Sequence, residues 1–302
     1  MILVTGATGV VGGEVARVLA SSRAVRVLCR DPGRLAVRGP GLEVAVGSYE
    51  DRASLSRALD GVEAVFLVTT DPGGHSDERF LEAAVAAGVR HVVKLSAYAV
   101  GEDDADDLIT RWQRGCEASL RSSGLAWTLL RPRSFMSNTL SWAASIRSEG
   151  VVPVLFPRSR NACVDPRDVA RAAVAALTSP GHEGRVHPLT GPEAISAEEQ
   201  IRELASALGR PLACRELTPD QAAARWARRY PPEVVRALVQ SARRQARGGK
   251  TTVDPAYTRL TGHRPRSYRE WALDHRTAFG GDVERPAAAG APLVAGAGVG
   301  VD

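Results

Sequence analysis

Three glycines near the N-terminus recur at every third residue: Gly6, Gly9 and Gly12. They follow the apolar residues 2–5 and precede a helix predicted at about residues 12–20. In such a turn the first glycine permits a tight bend, the second lets the backbone approach a pyrophosphate, and the third lets helix and strand pack closely. The N–H groups of the helix N-terminus then face the phosphates. We predict a dinucleotide site that also includes Thr8 and Val10; the alternative is a glycine turn that serves packing alone.

The end of the second predicted strand indicates which dinucleotide binds. An acidic residue at this point bonds the ribose 2′-hydroxyl of NAD, whereas an arginine suits the 2′-phosphate of NADP. Arg30 directly follows the predicted strand 25–29, and Arg34 lies in the next turn. Asp31 is close enough to keep NAD open. We predict NADP(H) in preference to NAD(H), with Arg30 bound to the 2′-phosphate.

Short β-branched segments alternate with helical patterns through the first half of the chain, and they predict the frame that positions these residues. Such alternation is typical of a parallel sheet with helices on both faces. We predict an α/β fold with a Rossmann-like, doubly wound parallel sheet, in which ligands bind at the carboxyl ends of the strands. The predicted strands are residues 2–5, 25–29, 42–46, 64–68, 91–95 and 126–131, and the predicted helices are residues 12–20, 52–59, 78–87 and 105–122.

The strand signal weakens after about residue 150, where helical patterns dominate. We predict a dinucleotide-binding core at residues 1–150 and a smaller, mostly helical C-terminal lobe at residues 151–283, integrated with the core, that covers the substrate. Residues 284–302 are rich in alanine, glycine and proline, and we predict a disordered tail there. The helices predicted in the lobe are residues 166–177, 196–208, 219–229, 232–245 and 267–279.

The composition argues against several classes of protein. Only Lys94 and Lys250 are lysines, so 37 of the 39 basic residues are arginines, and the net charge is +5. Such arginine richness is typical of a GC-rich genome, which makes the basic pI weak evidence for a nucleic-acid partner. We expect no nucleic acid and interpret the arginines of residues 228–250 as a solvated helix face. The cysteines are scattered, which predicts no disulfide framework and no metal site. The sequence shows no basic leader and no long apolar segment, so we expect a cytoplasmic protein without membrane contact.

Several motifs resemble the NmrA-like branch of the atypical short-chain dehydrogenases. The glycine turn is similar to the signature of that superfamily, and the match continues to about residue 280. The resemblance implies a bound dinucleotide and the activity of a quinone or enone reductase, a reductase of secondary metabolism, or a redox-sensing regulator without turnover. The further stretches that carry it are residues 91–97 (His-Val-Val-Lys-Leu-Ser-Ala), 124–132 (Gly-Leu-Ala-Trp-Thr-Leu-Leu-Arg-Pro), 135–138 (Phe-Met-Ser-Asn), 164–170 (Val-Asp-Pro-Arg-Asp-Val-Ala), 190–193 (Thr-Gly-Pro-Glu) and 261–268 (Thr-Gly-His-Arg-Pro-Arg-Ser-Tyr).

The chain departs from typical short-chain dehydrogenases at the catalytic pair. Those enzymes use Tyr-x-x-x-Lys, in which lysine lowers the pKa of the tyrosine so that the phenol exchanges a proton with a carbonyl substrate. The residue four positions before Lys94 is Arg90, and the one before Lys250 is Ala246, so the sequence has no such pair. We therefore expect NADP(H)-dependent hydride transfer to a small conjugated acceptor, a quinone or an enone, whose reduced anion water can protonate. The alternative is a non-catalytic NAD(P)-binding redox sensor.

The resemblance places candidate site residues after the fourth and fifth strands. Ser96 lies near the nicotinamide ribose in the family; it bonds ribose or substrate, or it is a turn serine. Tyr98 is the best candidate for a proton donor or substrate contact. Because no lysine is paired with it, we expect its pKa to stay at about 10. Thr69 and Thr70 contact the cofactor or serve packing alone.

The remaining candidates shape the substrate pocket. Phe135, Met136 and Asn138 follow the sixth strand, where the family closes the nicotinamide pocket. Phe135 is expected to contact the cofactor as well, and the alternative for Phe135 and Met136 is a place in the core. Trp112, on the helix predicted at residues 105–122, shapes the pocket or packs on the sheet. The expected partner is a small-molecule substrate, and the oligomeric state is open.

Overall fold

The computed structural model describes residues 1–281 of the 302-residue chain. The tail predicted at residues 284–302 lies outside the described residues. The strands are β1 (Ile2–Thr5), β2 (Val25–Cys29), β3 (Leu42–Val46), β4 (Ala64–Leu67), β5 (His91–Leu95), β6 (Ala126–Pro132), β7 (Val151–Leu155), β8 (Arg160–Asn161), β9 (Arg185–Leu189), β10 (Ile195–Ser196) and β11 (Ala213–Leu217). The α-helices are α1 (Val10–Ala20), α2 (Arg52–Leu59), α3 (Ser76–Ala86), α4 (Leu108–Ser122), α5 (Ala143–Glu149), α6 (Pro166–Thr178), α7 (Ala197–Leu208), α8 (Pro219–Trp226), α9 (Pro232–Ala246), α10 (Ala256–Thr261) and α11 (Tyr268–Asp274).

Seven strands form one parallel sheet in the order β3-β2-β1-β4-β5-β6-β9. β1 pairs with β2 on one side and with β4 on the other, so the strand order reverses at β1. This topology confirms the predicted Rossmann-like, doubly wound sheet. In such a sheet the crevice for a ligand lies at the carboxyl ends of the strands beside the reversal, which here means the ends of β1 and β4.

Two apolar layers hold the helices against the two faces of the sheet. On one face, Val15 of α1 and Ala172 of α6 are fully buried in a common cluster. On the other face, Leu55 of α2, Phe80 of α3 and Leu120 of α4 are buried together. Because both faces are covered, the central strands β1 and β4 consist of nearly continuous apolar residues. The carboxyl ends of the strands are thus held by a rigid scaffold.

The sheet and its helix layer continue past the boundary expected at residue 150. β9 pairs in parallel with β6 as the last strand of the sheet, and α6 packs against α1. The sequence did not indicate β9 because its segment contains a proline and a histidine at positions 187–188 and has little apolar periodicity. An edge strand tolerates proline, since one row of its N–H groups has no partner strand. The lobe also contains the strand pairs β7–β11 and β8–β10 beside its helices.

Side-chain caps fix the starts of two helices. Asp51 accepts hydrogen bonds from the backbone N–H groups of Ala53 and Ser54 at the start of α2. Ser196 and Glu199 form a reciprocal capping box at the start of α7. Each cap satisfies N–H groups that have no partner within the helix. Local sequence therefore sets where these two helices begin.

The lobe has an apolar core of its own. Tyr268 and Trp271 of α11 are buried together with Ile146 of α5 and Ile201 of α7. These contacts fix α5, α7 and α11 to one another. Within residues 1–281, no helix combines the length and the apolar character that crossing a membrane requires.

Candidate functional site

The glycine turn joins β1 to α1 with a tight bend. Gly6 has a φ of +66°, a left-handed conformation that favours glycine. The N–H of Gly9 donates to the carbonyl oxygen of Gly6 at 2.9 Å. A Cβ at Gly12 would lie 2.3 Å from that same carbonyl oxygen, so α1 approaches the turn this closely only because residue 12 has no side chain. Gly6 and Gly12 thus meet the conformational and packing requirements that their spacing predicts.

The N-terminus of α1 is open toward the surface. Its N-cap Gly9 provides no side-chain bond, and no acidic residue lies in the first turn. Thr8, Gly9 and Val10 are exposed, and Val10 is 55% exposed although it is apolar. The first N–H groups of a helix lack partners within the helix and carry partial positive charge. The turn therefore fits the pyrophosphate of a dinucleotide, with an apolar side chain beside it.

The end of β2 presents a free cation. Arg30 is exposed and has no ion-pair partner among residues 1–281. The carboxylate of Asp31 accepts a hydrogen bond from the N–H of Gly33 at 2.9 Å and caps the short turn that follows. Arg34 is exposed in the same turn. The Asp31 side chain thus has a local structural role, whereas the donors of Arg30 are available to an anion.

A buried ion pair lies next to Thr69 at the ends of β4 and β5. Lys94 is 0% exposed, and its Nζ lies 2.6 Å from Oδ1 of Asp77. The hydroxyl of Thr69 donates to Asp77 at 2.6 Å and accepts from Lys94 at 3.2 Å. The Thr69 side chain is therefore committed to this network, and only its backbone is left for a ligand. Thr70 is exposed.

Ser96 also belongs to a network of buried charges. Its hydroxyl donates to Glu117 at 2.5 Å, and Glu117 accepts two further bonds from Arg131 at 2.8 and 2.6 Å. Burial opposes the charge on Glu117, but the bonds from Arg131 and Ser96 outweigh it and lower the pKa of this carboxyl. Because the Ser96 proton is held by a carboxylate, the hydroxyl accepts a bond from a ligand more readily than it donates one.

Tyr98 lies two residues after Ser96 and is covered by an arginine. The guanidinium carbon of Arg133 lies 3.6 Å from the centroid of the Tyr98 ring. Burial raises the pKa of Tyr98, and the charge of Arg133 offsets this only in part. The phenol is therefore protonated at neutral pH and is chemically able to donate a proton. Arg133 itself is 4% exposed.

Two residues of the arginine-rich C-terminal region are buried beside Arg133, which corrects the interpretation of residues 228–250 as a solvated face. Arg244 is 4% exposed and Lys250 is 8% exposed. Arg244 lies near the end of α9, and α9 packs on α4, so this side chain points away from water. The other arginines of the region are exposed as predicted: Arg228, Arg229, Arg236, Arg243 and Arg247.

The four residues predicted to shape the substrate pocket have different surroundings. Phe135 forms a bridge to Val164 and packs partly buried on the core of the sheet. Met136 is 1% exposed within the apolar core of the lobe, which agrees with the core alternative for this residue. Asn138 is exposed and Trp112 is half-buried.

Sequence reasoning missed Arg133, Arg244 and the Lys94–Asp77 pair. Lys94 gave a usable signal, because a lysine between apolar residues of a buried strand requires a carboxylate partner. Arg133 follows β6, where ligands are expected, but one arginine is inconspicuous among 37. Arg244 reaches the site from more than a hundred residues further along the chain, and only the packing of α9 on α4 brings it there.

Comparison with known proteins agrees with this architecture. A family model described as NAD(P)H-binding matches residues 6–180. In solved structures, the chain is similar to the NADPH complex of an NADPH-dependent quinone oxidoreductase from Escherichia coli. The TM-score is 0.79 at 26% identity, and the match covers 91% of this chain and 99% of the other.

Two curated relatives match almost over their full lengths. A (4-alkanoyl-5-oxo-2,5-dihydrofuran-3-yl)methyl phosphate reductase of Streptomyces griseus is 57% identical over 279 residues, which cover 92% of this chain and 99% of the relative. An NAD(P)H azoreductase of Xenophilus azovorans is 33% identical, with 93% of this chain and 99% of the relative covered. These matches confirm the resemblance that the sequence motifs indicate.

Proposed function

We propose that this chain, which belongs to the NAD(P)H-binding family of atypical short-chain dehydrogenases, reduces a conjugated carbon–carbon double bond with NADPH. The chain is an NAD(P)H-dependent reductase: its family model is NAD(P)H-binding, and the relatives of 57% and 33% identity are both named reductases. The finer assignment is carried by the relative of 57% identity, which is named for a phosphorylated acyl butenolide. We assign a substrate of this class to the chain.

The chemistry of such an acceptor suits a site without a Tyr-x-x-x-Lys pair. The double bond of an acyl butenolide is conjugated with a lactone carbonyl and an acyl carbonyl. A hydride added to the ring carbon that bears the methyl phosphate moves the π electrons onto the neighbouring carbon. The resulting enolate is shared between two carbonyls, and a proton at that carbon completes the saturated lactone. Such a stabilised anion needs little help from a protein acid.

The chain has the features that bind the dinucleotide. The open N-terminus of α1 and the turn through Gly6, Gly9 and Gly12 receive the pyrophosphate in the proposal, with Thr8 and Val10 at its edge. Arg30, which has no ion-pair partner within residues 1–281, receives the 2′-phosphate, and Asp31 is occupied by the N–H of Gly33. This difference supports NADPH over NADH. When bound, NADPH supplies the hydride.

Three side chains surround the expected position of the nicotinamide in this proposal. Ser96 accepts a bond from the ribose or the substrate, because its own proton is held by Glu117. Phe135 closes the pocket over the cofactor from the end of β6. Tyr98 contacts the acceptor, and its protonated phenol is able to donate a proton to the enolate.

A redox sensor without turnover is disfavoured because the relatives of 57% and 33% identity are both named reductases. Azo compounds and quinones are the competing acceptors, because the relatives at 33% and 29% identity are named for them. All three acceptor classes are conjugated and electron-poor, so each agrees with a site that supplies little acid.

The test is an acceptor screen with the purified full-length chain. We expect rapid NADPH oxidation with the phosphorylated acyl butenolide, slower oxidation with NADH, and lower kcat/KM for quinones and azo dyes. NADPH oxidation with a quinone or azo dye but none with the butenolide would contradict the assigned substrate.

A further inference from the structure

Arg133, Arg244 and Lys250 form a buried group of positive charges next to Tyr98, and we refer to these three residues as the cationic cluster. They come from distant parts of the chain: the segment after β6, the end of α9, and the loop after α9. None is more than 8% exposed. Burying three cations in one place opposes folding unless negative charge accompanies them.

The carboxylates around the cationic cluster balance only part of its charge. Glu102 lies 2.6 Å from Nη1 of Arg133 and 3.5 Å from Nη2 of Arg244. Asp107 is 4.0 Å from Arg244, and its carboxylate already accepts two bonds from Thr110 at the start of α4. Three cations thus face two carboxylates, so the group carries one net positive charge.

Several N–H groups of the cationic cluster have no partner within residues 1–281. These are Nε and Nη2 of Arg133 and Nε of Arg244. In a guanidinium, Nε and Nη2 form one edge with two parallel donors, the edge that binds carboxylate or phosphate oxygens in a bidentate manner. Buried donors are almost always satisfied. The free edge of Arg133 is therefore suited to bind an anion with several oxygen acceptors.

The position of the cationic cluster separates it from the expected 2′-phosphate site of the cofactor. Arg133 follows β6, whereas Arg30 follows β2, and four strand spacings divide these strands in the sheet. At roughly 4.8 Å per strand the separation is about 19 Å. Arg133 is instead two residues before Phe135, and its partner Tyr98 is two residues after Ser96. The cationic cluster therefore lies at the nicotinamide end of the proposed site.

We propose that the cationic cluster is the subsite that binds the phosphate group of the acceptor. The proposal rests on the proposed function, because it assigns a residue set to the substrate named there. In a butenolide methyl phosphate, the phosphorus is three bonds from the ring carbon that receives the hydride. Its phosphate must therefore bind close to the nicotinamide, where the free edge of Arg133 lies.

The experiment compares the butenolide methyl phosphate with its dephosphorylated alcohol. In the wild-type chain we expect kcat/KM for the phosphate ester to exceed that for the alcohol by about a hundredfold, since charge-assisted hydrogen bonds to an anion are strong. Binding of both compounds is also measured in the presence of NADP⁺, where no hydride is available. We expect the same preference in Kd.

Variants separate a phosphate subsite from a structural network. Arg244→Gln and Lys250→Met are expected to raise Kd and KM for the ester about tenfold or more and to leave those for the alcohol within about twofold. Arg244→Lys keeps the charge and is expected to retain most of the preference. Arg243→Gln, an exposed neighbour on α9, is the matched control and changes neither compound.

The outcomes distinguish this proposal from the proposed function. Preferential binding of the ester without its reduction would support the phosphate subsite and overturn the proposed reductase function. Reduction of the ester and the alcohol with equal kcat/KM would overturn the phosphate subsite but would support the proposed reductase function. Parallel losses for both compounds in Arg244→Gln and Lys250→Met would show a structural network and overturn the subsite, as would equal Kd values in the wild type.

Discussion

The guanidinium of Arg133 lies over the phenol ring of Tyr98, with its central carbon 3.6 Å from the ring centroid. This cation–π contact joins the segment after β6 to the segment after β5. A cation next to a phenol lowers the phenol pKa, but burial of Tyr98 has the larger effect, and the net pKa is raised. Arg133 therefore does not replace the lysine of a Tyr-x-x-x-Lys pair, because it does not produce a readily ionised phenol.

Tyr98→Phe is expected to lower kcat for the phosphorylated butenolide by less than about tenfold. A side chain that transfers an essential proton contributes about 10²–10⁴-fold, whereas an enolate shared by two carbonyls is protonated by water. The phenylalanine ring keeps its place under Arg133, so the fold is preserved. Steady-state kinetics at saturating NADPH measures the effect. A hundredfold loss of kcat with an unchanged Tm would establish Tyr98 as a required general acid.

Gly12→Ala is expected to destabilise the protein by about 1–3 kcal/mol and to weaken NADPH binding strongly. Its Cβ would lie 2.3 Å from the carbonyl oxygen of Gly6, so α1 must move away from the turn that receives the pyrophosphate. Denaturant unfolding and NADPH titration measure the two effects. The control is Gly115→Ala in α4, where a Cβ meets open space and stability should rise slightly. Unchanged NADPH affinity in Gly12→Ala would remove the turn from the cofactor site.

Arg30→Ala is expected to weaken NADPH binding by about tenfold or more and to leave NADH binding nearly unchanged. The loss reflects charge-assisted bonds to the 2′-phosphate, which NADH lacks. Titration of both dinucleotides gives the two Kd values. Arg57→Ala, an exposed arginine on α2, provides the control for removal of one positive charge. Equal losses for NADPH and NADH would exclude Arg30 from 2′-phosphate recognition.

The KM for the phosphorylated butenolide is expected to rise as the pH passes about 8. Burial, together with the charges of Arg244 and Arg133, lowers the pKa of Lys250 to about 8, although Asp107 and Glu102 favour its charged form. Below this pH Lys250 is protonated and attracts phosphate; above it the ammonium is lost and binding weakens. In Lys250→Arg the guanidinium keeps its charge, so the rise in KM should disappear. A wild-type KM that is flat between about pH 7 and about pH 9.5 would exclude Lys250 from phosphate binding.

Local sequence predicted the parts of the molecule that short-range physics determines. The glycine turn could be predicted because Gly6 and Gly12 meet a conformational and a steric requirement that no other residue meets. The strands β1, β2, β4, β5 and β6 could be predicted because their apolar runs are largely buried, and β3 because of its apolar, β-branched residues although it lies exposed at the edge of the sheet. β9 could not, since it is an edge strand with a proline and little apolar pattern.

The candidate site was only partly predictable because it depends on long-range packing. The segments after β5 and β6 were expected to hold ligand-binding residues, and Tyr98 and Arg133 do lie together there. The burial of Arg244 follows from the docking of α9 on α4, which no local pattern encodes. Met136 had an apolar identity that fits a pocket or a core equally well, and its burial depends on apolar residues of the lobe that are distant in sequence.

The most direct test of the central claim follows the hydride itself. NADPH that carries deuterium at its transferable position is incubated with the chain and the phosphorylated acyl butenolide, and the product is examined by NMR. We predict deuterium on the ring carbon that bears the methyl phosphate, in a saturated lactone whose acyl ketone is intact. Deuterium on the carbinol carbon of a reduced acyl group, with the ring double bond retained, would contradict the account.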